Sequence, residues 1–206
     1  NPVARAIGRA LSEQGVRVML TDSSWDNIRA ARMENLPTYY GNPASQHAEN
    51  HLDLVGLGHL LALSPVGEMN TLAAMRFRHE FGVDRLFNLA STQENRRSDK
   101  HRPSHEHRGR PLGTPTLTYS QLAGRLGRGD SLKSNKLTET FGWSEYQTLN
   151  GSGAILYFAI DNHGHTHVFH PDARIKPEAG WTLIALTDNA NAQAAVNKPE
   201  PDRPKA

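Results

Sequence analysis

The sequence predicts an α/β fold built on a doubly wound parallel sheet, followed by a smaller antiparallel α+β domain. Three observations support this prediction. Helical and strand patterns alternate over residues 1–92, apolar residues nearly disappear over 93–115, and short strands with a hairpin signal follow over 116–188. Residues 189–206 are polar and proline-bearing, and they are predicted to form a disordered tail.

Residues 1–92 contain four predicted helices separated by short apolar strands. The first helix begins at once, with Asn1 as its N-cap, Pro2 in its first turn and Gly15 at its C-terminal end. The strands are predicted at 16–20, 38–40, 60–63 and 85–90, and the later helices at 23–35, 45–54 and 67–82. This alternation is typical of βαβ units with parallel strands. Because such a helix normally follows a strand, we expect the first strand of the sheet to be absent from this chain.

The stretch 93–115 is charged, rich in histidine and punctuated by proline and glycine. We predict a linker or mobile loop. The alternative is a basic arm that binds anionic lipid or nucleic acid. Three acids, Glu94, Asp99 and Glu106, interrupt the positive charge and favour the linker.

The segment 116–188 no longer alternates helix and strand patterns, and it is predicted to form a small, mainly antiparallel unit. A short helix is expected at 119–129, a strand at 131–139 and a short helix or a turn at 142–151. The apolar run 154–161, the turn NHGH and the run 166–170 predict a β-hairpin, and 180–188 predicts a further strand.

The composition limits the classes of function. The chain has 206 residues, a formal net charge of +2 and no cysteine. Lys and Arg nearly balance Asp and Glu, so nucleic-acid binding is not indicated. The lack of cysteine excludes disulfides and thiolate metal sites, and it is typical of a reducing compartment. No apolar run approaches the ~18–20 residues of a membrane span and no signal peptide is visible, so we expect a soluble segment, including one cut from a membrane protein.

Polar residues are predicted at one edge of the parallel sheet. In a doubly wound sheet, ligands bind beyond the carboxyl ends of the strands. Asp22 follows the strand after the first helix, where an acid commonly bonds a ribose hydroxyl, and the helix beginning at Asn1 is suited to phosphate. Ser64 and Pro65 follow another strand. A simpler interpretation remains open for Asp22, which could instead cap the second helix.

No arrangement of residues indicates catalysis. There is no nucleophile elbow, no His-Glu-x-x-His and no His or Lys directly after a strand of the first domain. We therefore expect a protein that is not an enzyme. His163, His165 and His167 alternate along the predicted hairpin, where two imidazoles on one face can share a metal. Solvated hairpin residues are the commoner explanation, so no metal site is predicted, and a pH-sensing role stays open.

The run from Gly15 to Arg78 resembles the RCK (KTN, TrkA-N) family of regulatory domains. Three motifs carry the resemblance: the acid Asp22 after a strand, Tyr-Gly-Asn at 40–42 where the family commonly has Gly-Asp, and Glu-x-Asn at 68–70. The resemblance covers roughly residues 1–92 and is greatest to the version at the cytoplasmic end of bacterial sodium/proton antiporters. The later runs LTETFGW and AILYFAID…GWTLIAL resemble the companion C-terminal region.

The resemblance implies a Rossmann-type domain that binds NAD(H) or an adenine nucleotide and reports its occupancy to a transport pore. It places phosphate at Asn1 to Ala4, ribose at Asp22, and adenine near Gly41, Asn42 and Ser64. The complete predicted set of cofactor-binding residues is Asn1, Pro2, Val3, Ala4, Asp22, Ser23, Gly41, Asn42, Ser64, Pro65, Glu68 and Asn70. For Glu68 and Asn70, a first-turn position favoured by the helix dipole is the simpler explanation.

Two departures from the family pattern change the expected ligand. Asn1 and Ala4 stand where a dinucleotide fingerprint has its second and third glycines, and an asparagine at the second would crowd a pyrophosphate. Asn42 replaces an acid and removes one charge. We therefore expect weak or altered nucleotide binding, including binding of a mononucleotide.

The resemblance also implies partners and location. Domains of this family usually pair, so a homodimer is expected, and the further partner is the membrane-embedded antiporter domain of the same full-length protein, on the cytoplasmic side of the inner membrane. Met69, Met75 and Phe81 are candidates for the contact surface, with core packing as the default interpretation. Two other functions stay open: an NAD(P)-dependent oxidoreductase, and a degenerate dimerisation module with an empty crevice.

Overall fold

The computed structural model describes residues 1–90, 109–150 and 153–188. Its helices are α1 (Pro2–Ser12), α2 (Trp25–Met33), α3 (Gln46–His51), α4 (Gly67–Arg76), α5 (Arg78–Phe81), α6 (Tyr119–Gly127) and α7 (Trp143–Asn150), with a 3-10 turn at Val83–Arg85. Its strands are β1 (Leu20–Asp22), β2 (Thr38–Tyr40), β3 (Leu60–Ala62), β4 (Leu86–Asn88), β5 (Arg110–Pro111), β6 (Ser131–Lys136), β7 (Ile155–Ile160), β8 (Thr166–Val168) and β9 (Thr182–Thr187). Most of the predicted linker and all of the predicted tail lie outside the described residues.

The first helix forms as its sequence predicts. The Asn1 side chain accepts a hydrogen bond from the Ala4 N–H at 2.9 Å, which caps one of the free donors of the first turn. The chain leaves the helix at Gly15, whose φ of +77° lies in the left-handed region that glycine adopts most easily. Val3 and Ile7 lie on the buried face of the helix and anchor it to the core.

The parallel strands form two sheets where a single one is predicted. β1 pairs with β2 in one, and β3, β4 and β5 form the other in that order, all parallel. No strand among the described residues joins β1 to β3. The parallel layer of the described residues is therefore interrupted between β1 and β3.

The interruption explains a wrong strand boundary. Residues 16–20 are predicted as a strand, but β1 covers Leu20–Asp22. The Val16 N–H donates back to the Leu11 carbonyl, and the first bond to the neighbouring chain runs from the Leu20 N–H to the Pro37 carbonyl. Residues 16–19 have the sequence of a strand, but none of the described residues pairs with them.

Two further differences concern the following segments. The predicted fourth helix is divided at Phe77 into α4 and α5. The predicted linker contains a strand at its end, since Arg110–Pro111 pairs with β4. Gly109 permits this pairing, because a Cβ there would stand 2.9 Å from the Leu86 carbonyl oxygen. A two-residue strand with an arginine and a proline carries no strand pattern in sequence.

The antiparallel unit agrees with its prediction. Its four strands lie in the order β6-β9-β7-β8, and β7 and β8 form the predicted hairpin. A β-bulge interrupts the pairing of β7 with β9 between Leu156 and Phe158. The bulge turns Tyr157 and Phe158, two successive residues, toward the same buried cluster.

Both faces of this sheet are covered. On one face Tyr157, Phe158 and Ile184 belong to a large cluster that also contains α1 residues and Leu122 of α6. On the other face Ala159, Leu183 and Ala185 pack with Tyr146 of α7. This explains why β7 and β9 read as continuous apolar runs.

The large cluster also includes residues of the parallel strands. Leu63, Phe87 and Leu89 lie in the same cluster as α1 and the antiparallel sheet. The core is thus continuous from residues of the first ninety to residues beyond 150. The division into domains at 1–92 and 116–188 stays a prediction.

Candidate functional site

A cavity of about 1130 Å³ lies between β1 and β3. Its inner walls are largely apolar and come from α1, β1, β3 and α4. Polar residues lie where β1 and β3 end, which is the edge at which the sequence predicts a ligand site. They include Asn1, Asp22, Ser64 and Asn70.

Asn1 connects the ends of the two strands. Its terminal ammonium contacts Asp22 Oδ2 at 2.9 Å, and its side-chain Nδ2 donates to the Leu63 carbonyl oxygen at 2.9 Å. Asp22 closes β1, and Leu63 follows β3. The N-terminus of α1 is therefore held across the mouth of the cavity by one residue.

Asp22 is the charged centre of this mouth. Partial burial alone would raise its pKa. Hydrogen bonds from the Asn1 ammonium, from the Ser24 N–H and from Asn27 Nδ2, with the charge of the ammonium, lower the pKa below its usual value. A carboxylate has about four acceptor positions. Three of them are occupied here, so one position on Oδ1 is left for a ligand hydroxyl.

The Asp22 contacts also bear on its simpler interpretation. Ser24 is the N-cap of α2 and makes no side-chain capping bond, whereas Asp22 Oδ1 accepts from the Ser24 N–H at 2.9 Å. Asp22 therefore stabilises the chain entering α2 and faces the cavity at the same time. The capping interpretation and the ligand-binding interpretation of Asp22 are therefore compatible with the same geometry.

Asn70 holds the loop after β3. Its Oδ1 accepts from the Ser64 N–H at 2.8 Å, and its Nδ2 donates to the Ser64 carbonyl at 2.9 Å. The side chain is 3% exposed. A buried amide that satisfies both backbone groups of one residue fixes that residue firmly. Asn70 therefore positions Ser64 at the mouth, which leaves its amide little capacity for a ligand.

The structure gathers part of the predicted set. Residues of that set that line the cavity are Asn1, Pro2, Ala4, Asp22, Ser23, Ser64, Pro65 and Asn70. Val3, Gly41, Asn42 and Glu68 do not line it. Val3 is fully buried in the large core cluster because it lies on the inner face of α1. Asn42 Oδ1 accepts from the Ala44 N–H, which stabilises a local turn after β2.

Two residues at the mouth of the cavity are not among the residues predicted from the sequence. Asn27 bonds Asp22 from the first turn of α2, and Tyr119 lines the cavity from the start of α6. Burial and the negative charge of Asp22 raise the pKa of the Tyr119 hydroxyl, with Arg5 opposing them. The Thr118–Gln121 capping box marks the start of α6 in the sequence. The approach of that helix to Asp22 depends on long-range packing that no local pattern encodes.

The three residues predicted as candidates for a dimer contact differ in how deeply they are buried. Phe81 packs in a small cluster with Ala74, Phe77 and Leu86. Met69 lines the cavity, and Met75 is 47% exposed. Core packing therefore accounts for Phe81, while Met75 remains available for contact.

The hairpin histidines surround one carboxylate. Asp161 Oδ2 lies 3.2 Å from His165 Nδ1 and 3.0 Å from His167 Nε2, and Asp161 Oδ1 accepts from the His163 and His165 N–H groups. The His167 ring also stacks on Trp181. Within residues 1–90, 109–150 and 153–188, no group of three or more His, Cys, Asp or Glu side chains is arranged to hold a metal ion. Asp161 organises the turn.

Replacing Asp161 with asparagine is expected to destabilise the protein in a pH-dependent way. Desolvation raises the pKa of Asp161, but the bonds from His167, His165 and His163 outweigh it and lower the pKa well below its ordinary value. A lowered pKa stabilises the fold above the unfolded-state value of about 4, and this stabilisation is lost as the pH falls below it. In urea unfolding, the difference between wild type and Asp161→Asn should therefore be larger at pH 5 than at pH 3.

The exposed Asp172 provides the control, since Asp172→Asn removes the same charge from the segment between β8 and β9. A difference between wild type and Asp161→Asn that stays constant from pH 5 to pH 3 would contradict this account of the turn.

Comparison with known proteins gives a distant likeness. No family model matches the chain, and no curated protein matches it. Among solved structures, the GsuK RCK domain is 10% identical with a TM-score of 0.33, over 86% of this chain and 45% of that one. The GsuK channel is 11% identical with a TM-score of 0.33, over 85% of this chain and 37% of that one. The chain thus spans less than half the length of these structures, and a likeness of this size carries no argument about its family or function.

In the part of the chain that the structure describes, no helix is both long enough and apolar enough to cross a membrane.

Proposed function

We propose that this protein is a ligand-sensing regulatory domain of RCK type that binds a nucleotide or related ligand at the mouth of the cavity between β1 and β3. The observation that carries the proposal is the convergence of Asp22, the N-terminus of α1 and Ser64 at one edge of the parallel strands. Ligands of doubly wound sheets bind at this edge. The proposal includes the expectation that the domain is not an enzyme.

The mouth offers distinct groups to the parts of a nucleotide. The free acceptor position on Asp22 Oδ1 suits a ribose hydroxyl, and the Ser64 hydroxyl can donate to a second polar group. The start of α1 suits phosphate through its dipole. Its supply of donors is reduced, because Pro2 has no N–H and the Ala4 N–H is bonded to Asn1. This favours a ligand with few phosphates and weak binding.

Regulation follows from the position of the site. A ligand that contacts Asp22 and Ser64 together touches the ends of two strands that belong to different sheets. Such a ligand favours one separation of the two sheets over others. The ligand can shift the equilibrium between the two arrangements only by the difference in its binding free energy for them, and an attached protein responds to that shift.

We propose that the attached protein is the membrane-embedded part of a monovalent cation transporter, in particular a sodium/proton antiporter, with the domain on its cytoplasmic side. We also propose that the domain pairs as a homodimer. Leu72 and Met75 lie three residues apart on α4 and are each nearly half exposed, so they provide apolar surface for such a contact.

Titration calorimetry with NAD, NADH, ATP, ADP and AMP tests the ligand. Asp22→Asn is expected to weaken binding about tenfold, because a charge-assisted hydrogen bond is replaced by a neutral one. Asp26→Asn is the matched control, since Asp26 is an exposed acid of α2 whose carboxylate lies 3.5 Å from Arg29. The control should bind as wild type does.

Three results would count against the proposal. Equal affinity of wild type and Asp22→Asn would remove Asp22 from the site. Turnover of a reduced nicotinamide would indicate the oxidoreductase alternative. A stable dimer that binds none of the five nucleotides would indicate a dimerisation module with an empty crevice.

A further inference from the structure

We infer that a second cavity, of about 600 Å³, is a binding site for a small oxygen-bearing anion of the phosphate or carboxylate type, and that this anion binds together with protons taken up by His59 and His170. We name it the histidine cavity. Its volume lies within the about 300–1,000 Å³ of ordinary ligand pockets. The site is separate from the mouth between β1 and β3 and does not rest on the proposed function.

The histidine cavity lies where the second parallel sheet meets the antiparallel unit. Because β3, β4 and β5 are parallel, their amino ends lie at one edge of their sheet, opposite to the edge at which Ser64 lies. His59 directly precedes β3, Asp84 lies just before β4, and Arg110 begins β5. The other wall comes from β8 and the segment that follows it. Residues that line the cavity from this wall include Thr166, His167, His170, Asp172 and Arg174.

The permanent charges of the histidine cavity cancel at neutral pH. Arg110 and Arg174 are positive, and Asp84 and Asp172 are negative. Arg110 is bonded to Asp84. Arg174 is exposed and forms no ion pair with another described residue, so its guanidinium is available to an anion. The net charge of the cavity therefore depends on the protonation of its histidines.

The three histidines differ in how their charge is balanced. His167 Nε2 lies 3.0 Å from Asp161 Oδ2, so a proton on this ring is offset by a carboxylate. Neither His59 nor His170 forms a hydrogen bond with a carboxylate of the described residues. Each proton gained by these two rings therefore adds one positive charge to the cavity.

His59 is neutral at pH 7 because of its surroundings. Its ring and that of His170 each lie 6.0 Å, between centroids, from the buried ring of Phe87. Burial lowers the pKa of His59, and the positive charges of Arg85 and His167 lower it further. The ordinary value for histidine is about 6.5, so the ring carries its charge only at lower pH.

The contact of His170 with Arg110 shows how an anion would be held. Arg110 Nη1 lies 3.2 Å from His170 Nε2, and since a guanidinium only donates, the proton of the neutral ring lies on Nδ1. This Nδ1 is buried and has no hydrogen-bond partner among the described residues. Burial and the charge of Arg110 lower the pKa of His170, with Asp172 and Asp84 opposing them. A proton on Nε2 would set two donors against each other, and an anion that accepts from both removes this repulsion.

Anion binding and proton uptake are coupled by this arrangement. An anion stabilises the protonated rings, and the protonated rings attract the anion, to the same extent. In the free protein both rings gain their protons below the ordinary pKa of about 6.5. The affinity for an anion therefore increases as the pH falls below that value.

Sulfate is the probe, because it keeps two negative charges at both pH 5.5 and pH 7.5. The imidazole resonances of His59 and His170 are followed by NMR at constant ionic strength, and they are assigned by their loss in His59→Gln and His170→Gln. We expect sulfate to bind at least about tenfold more tightly at pH 5.5 than at pH 7.5. Replacing chloride by about 20 mM sulfate should raise the titration midpoints of both rings by about 0.5 pH unit. Oxalate in place of sulfate distinguishes a carboxylate ligand from a phosphate ligand.

Three arginine variants place the anion in the histidine cavity. Arg110→Gln should weaken sulfate binding at pH 5.5 at least about tenfold. Arg174→Gln should weaken it by about threefold or more, and because Arg174 is exposed and unpaired among the described residues, this variant keeps the fold. Arg128→Gln removes an exposed arginine that does not line the cavity, so it should bind sulfate as wild type does.

Three results would overturn this proposal. Equal titration midpoints in chloride and in sulfate would show that the two histidines are not coupled to an anion. A wild-type sulfate response in both Arg110→Gln and Arg174→Gln would place the anion elsewhere. If neither sulfate nor oxalate changes the two histidine resonances at pH 5.5, the cavity binds no anion. The nucleotide titration with Asp22→Asn reports on the opposite edge of the strands, so either proposal can fail without the other.

Discussion

Phe158→Ala is expected to lower the free energy of unfolding by about 3–5 kcal/mol, the largest effect among the substitutions considered for this protein. Phe158 is 1% exposed and belongs to the cluster that contains α1, β7 and β9. Removing the ring leaves a cavity among side chains from several elements, which cannot all close around it. Urea unfolding followed by circular dichroism measures the change.

Leu149→Ala is the control for this prediction, because Leu149 on α7 is 56% exposed. Its loss should change the unfolding free energy by less than about 0.5 kcal/mol. If Phe158→Ala costs less than about 1 kcal/mol, the large cluster is not the main core of the protein.

The same substitution bears on the ligand site. Phe158 shares its cluster with Val3 and Ile7, which hold α1 against the antiparallel sheet. Because Asn1 at the start of α1 contacts Asp22, a looser helix weakens the arrangement at the mouth of the cavity. We therefore expect Phe158→Ala to lower ligand affinity as well as stability, although Phe158 does not line the cavity.

Arg125→Met is expected to lower the free energy of unfolding by about 2–3 kcal/mol. Arg125 Nε donates to Asp130 Oδ2 at 2.6 Å, and its guanidinium also bonds Asp188 and lies 3.5 Å from the Gly153 carbonyl. These contacts tie the end of α6 to residues flanking β6, β7 and β9. Methionine keeps most of the side-chain volume but leaves the largely buried Asp130 carboxylate without its charged partner.

Arg128→Met provides the comparison, because Arg128 is exposed and lies one helical turn further along the chain. It should change the unfolding free energy by less than about 0.5 kcal/mol. Equal effects of the two substitutions would mean that the Arg125 contacts contribute nothing beyond an exposed charge.

The elements that local pattern determines were predictable. The helix from Pro2, the hairpin around Asn162–His165 and the apolar strands of the antiparallel sheet follow from capping residues, turn residues and hydrophobic period. The boundary of β1 was not predictable, because residues 16–19 have a strand sequence and lack the neighbour that would pair with them. β5 was missed because a two-residue strand has no period to recognise.

In the candidate site, too, local sequence pattern predicts some residues, while others depend on packing between distant parts of the chain. Asp22 and Ser64 follow strands, so the position of each along the chain places it at the expected edge. Tyr119 reaches the same mouth from beyond residue 115, and nothing in its neighbourhood indicates this. Val3 lies within the predicted phosphate-binding run Asn1 to Ala4, but the helical period turns its side chain into the core.

The separation of β1 from β3 has a mechanical consequence. Backbone hydrogen bonds make a sheet stiff across its strands, and here that stiffness stops between two strands whose ends carry the candidate ligand groups. Among the described residues no backbone ladder joins β1 to β3, and Asn1 bridges their ends through one contact to each side. The ligand proposed for the mouth therefore bears directly on the separation of β1 from β3.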